Sequence, residues 1–343
     1  MKKLLNTLYI TTQGTYLARE RETVKVRMQK QTKLKIPIHT LSGIVCFGRV
    51  SVSPGLMELC GGRKVSLSFL SERGRFISRV HGRVSGNVLL RRQQYRWADN
   101  LDVSADLARS MVLAKINNQR AVLQRGARDH SGSPGATLLN SAADRLTQTI
   151  SALRQPRLLD EVRGCEGDSA REYFSVFDHL IVHQKDGFRF EDRNRRPPLD
   201  PVNALLSFLY TILTHDVTSA LETVGLDPAV GFLHRDRPGR MSLALDLMEE
   251  LRPVLADRLV LSMINRKQVQ PSGFRKTESG AVVMEDAVRK EVVVAYQKRK
   301  QEEIMHPFIE EKIPIGMVPY VQATLLARHV RGDLDGYPPF LWK

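Results

Sequence analysis

Four side chains carry the chemistry this sequence offers: Glu166 in GCEGDSAREYF, His234 in GFLHRDRPGR, and Asp246 with Glu249 in SLALDLMEEL. Asp246 and Glu249 stand three residues apart in the segment 231–253. There Leu243, Leu247 and Leu251 recur at helical spacing, so both carboxylates are expected on one side of a helix. One imidazole and two converging carboxylates form a nest for a hard or borderline divalent ion, Mn²⁺ or Mg²⁺, and Glu166 is the best donor of a third carboxylate. Zinc would more often recruit further His or Cys. Each residue alone has an ordinary alternative. His234 follows a glycine turn, as surface histidines do, and Asp246, Glu249 and Glu250 read equally as a solvated helix face. Glu166, between Gly164 and Gly167 at an expected helix start, reads as a first-turn acid favoured by the helix dipole. Asp246, however, lies among Leu243, Leu245 and Leu247, where an unpaired carboxylate is costly.

A divalent ion in such a nest serves phosphodiester chemistry, polarising a phosphoryl oxygen, activating water or a 3′-hydroxyl and stabilising the leaving oxyanion. Arg171, Arg235, Arg237 and Arg240, close in sequence, are suited to gripping backbone phosphate. A second chemistry, a Cys165 nucleophile with His234 as base and Asp246 as orienter, has the residue types but no thiol-hydrolase signature around the cysteine. The chain has no HExxH, no GxxxxGK[ST] and no GxGxxG after a strand, which removes the zinc protease, P-loop and dinucleotide-binding readings.

The elements that must position these residues fall into two groups. Up to about residue 84 the pattern is strand-like: 23–28 alternates, as does 34–38, and 43–47 and 65–70 read as buried strands. A short helix at 54–60 is expected to end at Gly61-Gly62, and Gly74-Arg75-Phe76-Ile77 suggests a further strand. Val84-Ser85-Gly86 reads as a linker. Helical periodicity follows at 87–100, 104–125 and 136–154. In the second of these Leu107, Met111, Ala114 and Ile116 are expected inward and Arg109, Lys115, Arg120 and Arg125 mostly outward. A helix opened by Glu166, an apolar helix at 202–224, and helices at 258–265, 284–305 and 319–331 complete the set, with 266–283 loop-like. The expectation is an α+β chain: a small N-terminal β-rich domain, 1–84, followed by a larger all-α catalytic domain, 85–343.

With 52 Lys and Arg against 37 Asp and Glu among 343 residues, the formal charge is +15, which points to a polyanionic partner and to nucleic acid first. Three cysteines, Cys46, Cys60 and Cys165, form neither a CxxC nor an even framework, consistent with a reducing compartment. The opening MKKLLNTLYI is interrupted by Asn6 and Thr7, unlike a signal peptide, and the longest apolar run, 204–213, is too short to span a bilayer. The expected location is the cytoplasm, with no membrane partner.

The combination of GCEGDSAREYF, RRPPLDPVNALLSFLYTIL and GFLHRDRPGRMSLALDLMEELRP resembles the CRISPR-associated integrase of the spacer-acquisition (adaptation) module. The opening β-rich region, SMINRKQ (262–268) and the PYVQATLLARHVRGDLDGYPPFLWK tail fit the same likeness, and that tail with HPFIEEKIP resembles the subtype I-C form. The resemblance implies an N-terminal dimerising β-domain and a helical catalytic domain. It places the family's metal glutamate on Glu166, its histidine on His234 and its acidic pair on Asp246 and Glu249, with Tyr173 and Asn203 in supporting positions. Glu249 stands where some members carry an aspartate. It implies Mn²⁺- or Mg²⁺-dependent integration of a foreign double-stranded DNA fragment into a repeat array, by 3′-hydroxyl attack on a repeat-edge phosphodiester. It further implies a homodimer, two of which are bridged by a small ferredoxin-like partner in a heterohexamer. Two rivals remain from the residues alone: a non-catalytic nucleic-acid-binding protein, and a general repair nuclease for branched DNA.

Overall fold

The computed structural model describes residues 6–72, 76–80, 82 and 88–342. Strand β1 (Asn6–Ile10) is followed by a meander, β2 (Tyr16–Glu20), β3 (Thr23–Met28) and β4 (Gln31–Pro37), and then by β5 (Leu41–Phe47) and the short β6 (Ser51–Val52). Helix α1 (Pro54–Arg63) leads into β7 (Ser66–Leu70) and β8 (Phe76–Val80). The strands make two four-stranded sheets, in the orders β4-β3-β2-β6 and β1-β5-β7-β8, the second parallel except for its β7–β8 edge. Helix α1 begins as its sequence directs: the Ser53 side chain accepts from the Leu56 amide, and Pro54 occupies the first turn. It runs past the expected Gly61-Gly62 stop to Lys64, which takes the left-handed cap at φ 56°.

The period of two along β5 joins this unit to the rest. Ile44 and Cys46 point into a core with Leu17, Val24, Leu56 and Leu67. Val45 and Phe47 point the other way, into the helical core, where the Phe47 ring lies 5.6 Å from Phe208. The expected linker Val84-Ser85-Gly86, with the expected boundary between 84 and 85, lies outside the described residues, as do Gly74, Arg75 and Lys343.

Beyond it the chain is largely helical: α2 (Val88–Asp99), α3 (Leu101–Asp129), α4 (Gly135–Ala152), α5 (Leu159–Ser175), α6 (Pro201–Val224), α7 (Ser242–Glu249), α8 (Arg258–Asn265), α9 (Asp286–Gln301) and α10 (Val318–Val330). Between α7 and α8, Arg252–Asp257 forms a π-helical turn. Two small antiparallel ribbons, β9 (Phe274–Lys276) with β10 (Val282–Met284) and β11 (Glu303–Met305) with β12 (Lys312–Pro314), flank α9. They trim the expected 284–305 helix at both ends and give structure to part of 266–283. Helix α6 is long and apolar enough to cross a membrane by composition, yet its Leu205, Leu206, Leu209 and Leu213 are buried at the centre of the helical core.

Candidate active site

Helix α5 starts earlier than expected. The Glu161 side chain accepts from the Leu158 amide, the glutamate half of a capping box, so the helix opens at Leu159 and Glu166 stands in its middle. Gly164 and Gly167 face open space, while Val162, Ser169 and Tyr173 bury the opposite side.

Glu166 meets Lys115, whose ammonium contacts Glu166 Oε1 and also lies 2.7 Å from Glu249 Oε2. Lys115 was expected to face outward from α3; its side chain is 4% exposed. The stripe Ala108, Met111, Lys115, Asn118 and Val122 explains this, because the 3–4 spacing of these buried residues places Lys115 on the packed face. Glu249 is buried at the end of α7, and Arg252 Nη1 reaches its Oε1 at 2.8 Å. Glu249 Oε2 accepts no hydrogen bond, so its approach to Lys115 is an ion pair lacking hydrogen-bond alignment. Burial alone would raise the Glu249 carboxyl; Arg252, Lys115 and His234 outweigh it and hold it down at about 2.

Asp246, also expected among the metal ligands, stands in a different setting. Its Oδ2 accepts from the amides of Phe232 (2.6 Å) and Leu233 (2.9 Å), and its Oδ1 accepts from the His234 amide (3.0 Å) and His234 Nδ1 (2.6 Å). Four donors meet the four acceptor positions of this fully buried carboxylate. An ionised carboxylate only accepts, so His234 Nδ1 donates to it, and Nε2 is the ring nitrogen that remains for a ligand. The turn requires Gly231: a Cβ there would stand 2.7 Å from Asp246 Oδ2 and 2.8 Å from the Ser242 carbonyl carbon. Arg163, one helical turn before Glu166, donates from Nε to Leu233 O at 2.7 Å and so ties the histidine loop to α5. An open cavity of ≈ 500 Å³ lies beside His234, lined also by Tyr95, Asp160, Arg163 and Arg235.

Among the described residues no three His, Cys, Asp or Glu side chains stand together as a metal nest; Lys115 occupies the space between two of them. The donor chemistry nevertheless suits a hard divalent ion. Two glutamates converge on one cation, and His234 lies within electrostatic reach of Glu249. Tyr173 is buried against Phe174 and Phe177. Asn203 accepts from Arg193 and the Asn194 amide and donates to Asp192 O and Asp200, which fastens the loop before α6. Cys165 packs against the helical core. Arg171 and Arg235 are exposed and paired with Asp168 and Asp160. Sequence reasoning missed Lys115 and Arg252; the second had a signal in its i, i+3 spacing from Glu249.

A further support came unannounced from the tail. Tyr337 OH and the Phe340 amide each donate to the Glu250 carboxylate at 2.5 Å, and Gln322 donates at 3.2 Å. Burial pushes this carboxyl up to about 7 despite those three donors. Asn118 Nδ2 donates to the carbonyls of Glu250 (2.7 Å) and Phe340 (2.9 Å), and its Oδ1 accepts from the Trp342 amide (2.7 Å). The tail is thereby bound to the residue beside Glu249 and to the helix that carries Lys115.

The profile of a family described as CRISPR associated protein Cas1 matches residues 8–298. The chain belongs to the Cas1 family. By this profile and its full-length likeness to proteins named CRISPR-associated endonuclease Cas1, its function is that of a Cas1 endonuclease, and the expected endonuclease class stands. A Cas1 relative from Chlorobaculum tepidum, named CRISPR-associated endonuclease Cas1 1, is 53% identical over the full length of both chains. Among solved structures, a casposase bound to integration product superposes with a TM-score of 0.83 at 19% identity, covering 99% of this chain and 95% of that one. A Cas6-RT-Cas1–Cas2 complex gives a TM-score of 0.83 at 22% identity, covering 100% of this chain and 36% of that one. Both likenesses show the Cas1 fold: β-rich first, helical after.

Proposed function

We propose that Glu166, Glu249 and His234, through its Nε2, hold a single Mn²⁺ or Mg²⁺ ion and that the chain joins DNA there. A foreign fragment's 3′-hydroxyl attacks a phosphodiester at a repeat edge; one P–O bond forms as another breaks, and the displaced 3′-oxygen leaves. The observation that carries this reading is the convergence of two glutamates on one cation beside a histidine fixed by Asp246. Bound there, the ion would supply Lewis-acid polarisation of the phosphoryl group and stabilise the leaving oxygen. Asp246 holds the histidine in one tautomer and one orientation, and Arg163 holds its loop against α5. Arg171, Arg235, Arg237 and Arg240, with the +15 charge, bind duplex phosphate in a sequence-tolerant way.

The same reading includes residues 1–84 as a dimerising unit and 85–343 as the catalytic unit. It also includes a homodimer, two of which are bridged by a small ferredoxin-like protein. The complex in which a similar chain stands with Cas2 supports that partner. The tail and HPFIEEKIP support the subtype I-C form, which a repeat array and I-C interference genes beside this gene would test. Work on DNA with three unpaired cysteines fits the cytoplasm.

The deciding experiment is a strand-transfer assay with Mn²⁺ on branched DNA, with wild type and His234→Ala side by side and filter binding as control. A variant that binds DNA and joins nothing supports the site. Equal joining by both places the chemistry elsewhere, and binding without joining by either favours a non-catalytic DNA-binding protein. Joining that ignores repeat sequence favours a general repair nuclease.

A further inference from the structure

The two candidate metal glutamates already share a cation of the protein's own. Lys115 Nζ contacts Glu166 Oε1 and lies 2.7 Å from Glu249 Oε2, with its side chain 4% exposed. Among the described residues no other carboxylate pairs with it. The ammonium sits between the two carboxylates, where an ion bridging them would have to sit. Charge leads to the same exclusion. With Lys115 in place, Glu166 and Glu249 are balanced by Lys115 and Arg252. A divalent ion placed beside the ammonium sets like charges against each other in a largely buried site, which is costly, and withdrawal of the ammonium relieves it. Arg252 is held by packing, its guanidinium 5.0 Å over the Tyr210 ring; Lys115 has a flexible four-carbon stem and a point charge that can move.

We infer that Lys115 is a resident counter-ion that keeps the glutamate pair closed until a divalent ion displaces it, and that its competition sets the metal affinity of the site. This rests on the metal-site reading above. It assigns Lys115 a positioning role toward that site, distinct from a merely structural ion pair, which would leave metal affinity untouched when removed.

The test is Mn²⁺ binding by isothermal titration calorimetry, without DNA, to wild type, Lys115→Met and Glu249→Gln. Displacement predicts that Lys115→Met binds Mn²⁺ at least 10-fold more tightly than wild type and that Glu249→Gln loses the binding. Wild-type binding that is lost in Glu249→Gln but unchanged or weaker in Lys115→Met overturns the inference while the site reading survives. No Mn²⁺ binding to any of the three overturns both. Should Lys115→Met fail to fold, wild type answers alone. Reductive methylation followed by peptide mass spectrometry should label Lys115 faster with Mn²⁺ present than without, and an equal or slower rate overturns the inference.

Discussion

The Asp246 carboxylate holds His234 twice, accepting its backbone amide at 3.0 Å and its Nδ1–H at 2.6 Å on the same oxygen. One buried side chain therefore fixes both where the histidine stands and which ring nitrogen is free.

Asp246→Asn keeps the shape but offers an NH₂ to donors that need an acceptor. Orienting partners of this kind are worth about 10- to 100-fold in metal affinity or activity. We expect strand transfer to fall by that factor, with a matching loss of Mn²⁺ affinity and DNA binding unchanged. Wild-type kinetics in the variant would show that His234 does not depend on Asp246.

Gly231→Ala places a methyl 2.7 Å from Asp246 Oδ2 and 2.8 Å from the Ser242 carbonyl carbon. Because that space is bounded by backbone, relief requires moving the histidine loop, at a cost of about 1 to 3 kcal/mol. Urea unfolding measures it; an unchanged midpoint at unchanged slope would mean the loop moves freely.

Asp257 gives a pH signature. Burial pushes its carboxyl up to about 6 from 3.8, against the opposing pull of Tyr210, Tyr173, Arg193 and Arg252. Its folded-state value lies above the unfolded one, so its contribution to stability is fully present below pH 3.8 and is lost as pH rises through 6. A shift of about two units corresponds to roughly 3 kcal/mol. Asp257→Asn still accepts from Tyr210 OH, which bonds Oδ1 at 2.6 Å. Between pH 4 and pH 6.5 wild type should lose about that much stability relative to the variant, and parallel curves would refute the shift.

Asn118→Ala removes two donations and one acceptance that join Glu250, Phe340 and Trp342. Leaving such buried backbone groups unpaired costs about 2 to 4 kcal/mol. Thermal unfolding should report the loss, and hydrogen exchange should rise at the amides of Phe340 and Trp342. Protection that stays unchanged there would mean the tail is held by Glu250 and Gln322 alone.

What was legible in the sequence was governed by local spacing. The leucines at 243, 247 and 251 are all fully buried, and the strand alternation around 43–47 separates the two cores. Glycines flank Glu166 and suggest a helix opening there; the capping interaction lies earlier, between the Leu158 amide and Glu161. Lys115 was assigned outward on charge alone, although its spacing from Ala108 and Met111 already placed it inward. The pairing of Asp246 and Glu249 on one helix was legible, but their division of labour was not. Asp246 is claimed by amides of a loop that residue spacing does not fold, whereas Glu249 meets a cation from α3. The tail's bonds to Glu250 bring together residues 72 to 90 positions apart and leave no periodic trace.

Those long ties bear on how the protein comes into being. Asn118 joins residues 132, 222 and 224 positions away, so its contacts close long loops whose ordering must be offset by the bonds they make. A nascent chain that has not yet delivered residues 340–342 has Glu166, His234 and Glu249 in hand but no fastening behind Glu250. The backing of the residue beside Glu249 is thereby complete only once residues 340–342 have docked on α3.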